Sequence, residues 1–319
     1  MGIGIEELKI LISLSLLVVG IVSVLAPRSI SAGTTLFSVG NTAASGVLFA
    51  AALTHELAES TESFRELDED AEGGVWRGDF PWANAIAGLT FIALLAIETI
   101  VKLWVESEDV REYEVISSVD AQWTALNTPD RTYSGDTSHA SLPLLLALSI
   151  HSLLAGLSVG VSSGIESVAS TTIAIVSHKL FAGYSLGCSM VSARLSWRRQ
   201  LYLGMVFACA TPLGIVAGMI ILLSKDRDGA DYSVYNYELF VAVIQAVVAG
   251  TFLYVSIVEV GMKEFLVCEQ NPCPLFVERE WGREETKMDQ RAGVAYIETA
   301  KLMAFLVGFL AMSSLAFFI

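Results

Sequence analysis

The pattern His-x-Leu-x-Ala-Gly-x-Ser-x-Gly occurs twice, as His151 to Gly160 and as His178 to Gly187, with the two histidines 27 residues apart. Both copies lie in apolar stretches long enough to cross a bilayer. Ionisable side chains are costly in hydrocarbon and are kept where they face a protein interior or a pathway. The chemistry on offer is metal ligation, because neutral imidazole suits Zn, Cu, Fe and Ni, with Ser152 beside His151 as an accessory oxygen. A second possibility is nucleophilic catalysis, since each copy contains Gly-x-Ser-x-Gly, at Ser158 and Ser185, within helical reach of a histidine. That motif works on a strand-to-helix turn, whereas here it sits inside apolar stretches with helical spacing, and catalysis needs one nucleophile, not two. A third reading makes the histidines hydrogen-bonded glue between helices.

On a helix, residues i and i+4 share a face. The partners of the two histidines at that spacing are Ala155 and Ala182, so neither copy supplies its own carboxylate. Lys179 follows His178 directly. Elsewhere His55, Glu56 and Glu59, continued by Glu62 and Glu66, stand at the end of another apolar stretch, where acidic groups would raise the local cation concentration.

The elements that must position these residues follow from composition. Of 319 residues 54% are hydrophobic and mean hydropathy is +0.59, which excludes an ordinary soluble domain. Windows of about 20 apolar residues, enough for roughly 30 Å of hydrocarbon, fall at 8–26, 34–57, 82–105, 140–163, 169–192, 200–224, 238–261 and 293–319. The expectation is an all-α polytopic membrane protein of eight helices, without the alternation of a β-barrel. Residues 1–105 would hold helices 1–3 with an acidic outer loop, 106–139 a cytoplasmic loop, and 140–319 helices 4–8 with the metal site.

Net charge is −15, with the acids mostly in the connections. Acidic residues ahead of the first window make it a retained helix and not a secretory signal. With the N-terminus outside, the inner connections hold twelve Lys and Arg and the outer segments five, while Lys179 and Lys301 fall inside spans. The inner excess places both termini outside. Cys188 and Cys209 lie in spans; Cys268, Cys273 and His139 lie in inner connections and form no metal-binding tract. Small residues at four-residue spacing, Gly156 and Gly160 in one copy and Gly183 and Gly187 in the other, allow close helix packing and suggest that the two helices pack together as halves of an internal repeat.

The order of these segments resembles the ZIP (Zrt/Irt-like) family of divalent metal transporters. Ser45 to Glu59 is similar to that family's second helix, His151-Ser152-x-x-x-Gly156 to the fourth, and His178-Lys179-x-x-x-Gly183 to the fifth. Thr211-Pro212-Leu213-Gly214 resembles the sixth, and Gln245 to Glu259 the seventh. The resemblance implies an eight-helix bundle with both ends outside and metal held between the fourth and fifth helices. It implies transport of a divalent metal, zinc or iron, towards the cytoplasm by alternating access. The metal would be substrate, with no prosthetic group, no nucleic acid partner and no enzymatic activity. The expected midplane ligands are His151, Ser152 and His178, with His55, Glu56 and Glu59 at the entrance and Lys179 and Glu259 modulating the site. The plasma membrane is the expected setting, with an intracellular membrane as the alternative; a homodimer is compatible with the resemblance, though no motif points to it. Ala155 and Ala182 stand where the family usually has glutamate, which leaves open a ZIP-like protein with a degenerate site and an altered role.

Overall fold

The computed structural model describes residues 4–30, 34–70, 80–119, 141–162, 164–228, 231–265 and 287–318, and all elements among them are helical. Helix α1 (Ile5–Leu25) carries Glu6, Glu7 and Lys9 near its start and no charge after them, and gives way to a 3₁₀ turn, Ala26–Ser29, at Pro27. Thr34 starts α2 (Thr35–Ala51) by accepting the Phe37 N–H at 3.3 Å, which satisfies an otherwise orphaned donor. A π-helical turn, Ala52–Glu56, interrupts this helix before it continues as α3 (Leu57–Asp70). The remaining helices are α4 (Trp82–Val119), α5 (Ser141–Val161), α6 (Ile165–Ser192), α7 (Trp197–Asp228), α8 (Asp231–Tyr254) and α9 (Lys287–Phe318), and α8 runs into a second π-helical segment, Val255–Met262.

Seven of these helical stretches are long and apolar enough to cross a membrane. The eighth expected span lies in α6, which has the length but not the apolarity. Its polar residues, among them Thr171, Thr172, Ser177, His178 and Lys179, are the reason. The connections also differ from expectation. Part of the acidic outer loop is α3, whose Ser60, Phe64 and Leu67 are buried and lie on α8. The segment expected as a loop from 106 begins as the last turns of α4, because Glu106 to Val119 contains no Gly or Pro to stop a helix. His139, Cys268 and Cys273 lie outside the described residues.

The helices form two sets. One contains α1, α5, α6 and α7; the other contains α2 with α3, α4, α8 and α9. In the first set, a Cβ on Gly156 would lie 2.2 Å from the Thr211 carbonyl oxygen, one on Gly160 2.4 Å from that of Ile215, and one on Gly187 2.3 Å from that of Val24. Gly183 is equally close to the Ser23 hydroxyl. The glycines of the repeated pattern therefore press α5 against α7, and α6 against α1. The expected packing of the two repeats on each other through these glycines is replaced by packing of each on a third helix. In the second set Gly46 and Gly308 bring α2 and α9 together, and Gly250 brings α8 onto α4.

Polar side chains reinforce each set. Lys9 is fully buried and donates to the Gly160 carbonyl at 2.7 Å, where the end of α5 leaves carbonyls without helical partners. Gln200 donates to Val24 O at 3.0 Å. On the other side Ser45 donates to Ser256 O at 2.6 Å, inside the π segment, and Ser60 to Ala242 O at 2.7 Å. The sets meet where α2 packs on α6 and α5 on α8.

Gly156→Ala forces Cβ into the Thr211 carbonyl and is expected to cost about 1–3 kcal/mol of stability, read as a lower unfolding midpoint in detergent. Gly88→Ala, where a Cβ meets nothing within 4 Å, is the control and leaves the midpoint unchanged or slightly raised.

Candidate metal centre

His151, Ala155 and Ser158 fall on one face of α5, and Thr171, Ile175 and His178 on one face of α6, by the same i, i+4, i+7 spacing. All six border one cleft, or, in the case of His178, lie at its inner end. The histidines meet: Nε2 of His151 is 3.0 Å from Nε2 of His178, and both residues are buried. One ring donates its N–H and the other accepts it. The Phe252 ring of α8 covers the pair, with its centroid 4.3 Å from that of His151.

The π turn supplies what the repeats lack. Glu56 is buried with its Oε1 3.5 Å from Nδ1 of His151. Ligand atoms of Glu56, His151 and His178 all lie within 4.8 Å of one another. A π turn takes more than four residues per turn and is found disproportionately at functional sites. Here it brings the neighbours His55 and Glu56 to bear on the same cleft. Zinc–nitrogen bonds of about 2.05 Å at a tetrahedral angle place two nitrogens about 3.3 Å apart. The histidine nitrogens already stand within a few tenths of an ångström of that spacing. Two imidazoles and a carboxylate fit zinc or another borderline divalent ion and leave a fourth position for water, the mark of a site whose ion can exchange.

Outward from the three groups the cleft is bordered by His55, Glu59, Ala155, Ser158 and Gln245, with apolar walls from Leu154, Leu157, Phe240 and Ile244. His55 Nδ1 lies 3.0 Å from Glu59 Oε1, and Gln245 donates to Glu59 Oε2 at 2.8 Å. The His55 ring centroid is 5.8 Å from that of His178. His55 and Glu59 thus stand one step outside Glu56, as a short polar approach to it. Glu62 pairs with Arg65 instead.

Other expected residues are placed differently. Ser152 does not turn to the histidines; its hydroxyl accepts from Lys179 at 3.3 Å. The Lys179 ammonium also donates to Thr211 Oγ1 at 2.8 Å and sits 4.2 Å from the centre of the Phe207 ring. It is held inside the α5–α6–α7 contact by two hydroxyls and an aromatic face. Glu259 does not join the cluster. It pairs with Lys263, and its Oε1 lies 3.4 Å from the Tyr254 hydroxyl, whose single hydrogen is donated to Glu98 at 2.5 Å. Glu259 follows Phe252 by seven residues, roughly 10 Å along a helix.

The two alanines are not equivalent. Ala155 borders the open cleft, whereas Ala182 belongs to the main apolar core with Val47, Leu48 and Leu186. The Ser185 hydroxyl, in the second Gly-x-Ser-x-Gly, is buried without a hydrogen-bond partner among the described residues. The two histidines are engaged with each other and with Glu56, so the pairing that a hydrolase would need is not formed there.

Comparison with known proteins adds an independent line. The family model described as ZIP zinc transporter matches residues 6–316. The sequence is 25% identical over 268 residues to zinc transporter 3 of Arabidopsis thaliana, covering 82% of the chain and 76% of that protein. It is 31% identical over 124 residues to zinc transporter ZIP2 of Homo sapiens, covering 39% and 38%. Protein zntD of Dictyostelium discoideum is 37% identical over 124 residues, 38% of this chain but 17% of its own length.

For the purified protein, His151→Ala or His178→Ala is expected to weaken zinc binding at least about 10-fold, the scale on which metal sites respond even to loss of supporting residues. Ser152→Ala is expected to leave zinc affinity close to native, since its hydroxyl serves Lys179. Equilibrium dialysis with zinc chloride separates the two outcomes, and a Ser152→Ala loss equal to that of His151→Ala would return the serine to the ligand set.

Proposed function

The chain belongs to the ZIP zinc transporter family, and from that premise we propose that it moves a divalent transition metal, zinc first and iron second, towards the cytoplasm by alternating access. The observation that carries this reading is the convergence of Glu56, His151 and His178 between membrane spans, with ligand atoms inside 4.8 Å. Hydrogen-bonded glue between α5 and α6 would need only the histidine pair; the buried carboxylate brought to it from another helix goes beyond that task, and in a bilayer buried ionisable groups mark pathways. In this reading His55 and Glu59 collect the ion from the outer side and pass it to Glu56 and the histidine pair. The excess of Lys and Arg in the inner connections supports both termini outside, and the division into two helix sets supports one set rocking against the other.

Lys179 fits the same reading as a fixed cation beside the site. Its hydroxyl partners and the Phe207 ring hold it in α7's direction, so that the protein places one ion and one ammonium where it could otherwise have placed two ions.

A second reading rests on Ala155 and Ala182, where carboxylates are missing from both repeats: a ZIP-like protein with a changed role. Glu56 favours the first, because it restores a carboxylate from another helix. Cells expressing the native chain are expected to take up radioactive zinc above the vector background, and His178→Ala to bring uptake back to background. No uptake by the native chain, with uptake gained by Ala155→Glu plus Ala182→Glu, would overturn the transport reading in favour of the second.

A further inference from the structure

The groups that converge on the site come from different helix sets. His151 and His178 stand on α5 and α6, which are packed with α1 and α7. Glu56 stands on the π turn of α2, which is packed with α8 and α9. Each set is knitted internally, by Lys9 to Gly160 and Lys179 to Thr211 in one, and by Ser45 to Ser256 and Ser60 to Ala242 in the other. Glu56 to His151, at 3.5 Å, crosses the boundary, where its neighbours are rings: Phe252 against His151 and His55 against His178. Ala155, the residue that would place a carboxylate on the same set as the histidines, faces the cleft without a charge.

From this the geometry points to Glu56 as a ligand that makes the bound ion a bridge between the two helix sets. An ion whose ligands all belong to one set travels with that set and does not oppose its movement. An ion held by Glu56 on one side and by two imidazoles on the other ties the sets together. They part when the carboxylate leaves the ion and a water takes its place, an exchange in which no covalent bond is made or broken. Glu56 is then the ligand that decides when the outer arrangement ends, while the histidines retain the ion. Loading and movement are thereby linked through one side chain.

This inference rests on metal binding at the site proposed above, and it is tested by hydrogen exchange of the full chain in detergent, with zinc chloride as the probe. In the native chain zinc is expected to slow exchange both around residues 52–56 and around residues 151 and 178. Glu56→Gln is expected to lose zinc affinity at least about 10-fold. Glu56→Gln combined with Ala155→Glu is expected to recover most of that affinity, with zinc slowing exchange around 151 and 178 but no longer around 52–56. The bridge is overturned if zinc protects the histidine helices of the native chain and leaves 52–56 unchanged, or if the combined variant still shows native protection at 52–56. The native comparison stands even where a variant fails to fold. Uptake is a separate readout: a native chain that shows both protections but takes up no zinc supports the bridge and sinks transport, and one that binds no zinc overturns the bridge.

Discussion

Two imidazoles and a carboxylate shut away from water have to satisfy one another, and the placement of the helices serves that requirement. In a bilayer a polar group without a partner has no solvent to fall back on. The histidines solve half of the problem by sharing a hydrogen across 3.0 Å. Glu56 takes up the far side of His151, while Nδ1 of His178 stays buried without a hydrogen-bond partner among the described residues. For that to happen α5 and α6 must come close, and glycines let each of them seat on α7 or α1 with backbone nearly touching backbone. The π turn must then carry Glu56 inward, while α3 continues to an acidic end at Asp70.

Electrostatics explains why the carboxylate matters more than its share of the ligand count. A unit charge about 6 Å from a divalent ion contributes roughly 5 kcal/mol at an effective dielectric near 20, and an opposite charge about 3 Å away contributes roughly 11 kcal/mol. An ammonium at that separation therefore need not exclude a divalent ion once a carboxylate is a ligand, though it would dominate against two neutral imidazoles. The hydroxyls of Ser152 and Thr211 hold the Lys179 ammonium by hydrogen bonds.

Much of this was legible in the residues themselves. Hydropathy indicated the helical class and seven of the eight expected spans, and the repeat singled out His151 and His178 as neighbours across a helix pair. Period and spacing say which residues share a face of a regular helix. They do not reveal where a helix departs from regularity. Glu56 reads as one of several acids at a helix end until the π turn is seen, and the turn has no Pro or Gly to announce it: its sequence is Ala-Leu-Thr-His-Glu. Glycine spacing likewise announced close contacts without naming the partner, since a bare backbone fits any neighbour. Ser152 and Glu259 stand apart from the cluster for a related reason. Proximity in sequence to a ligand, or in a motif, does not fix the direction of a side chain, and each found a stronger partner in Lys179 or Lys263.

The polarity of α6 has a consequence for how the chain is made. A lysine near the middle of a span opposes insertion by about 3 kcal/mol, with histidine and the hydroxyl residues adding little that favours it. As a solitary segment leaving the ribosome, α6 would be a poor substrate for the insertion machinery. It becomes acceptable in the company of α7, whose Thr211 and Phe207 receive the lysine, and of α5, whose histidine and serine complete the set. The polar side chains of this segment thus favour its entering the membrane together with its neighbours, a demand that the apolar α1 does not make.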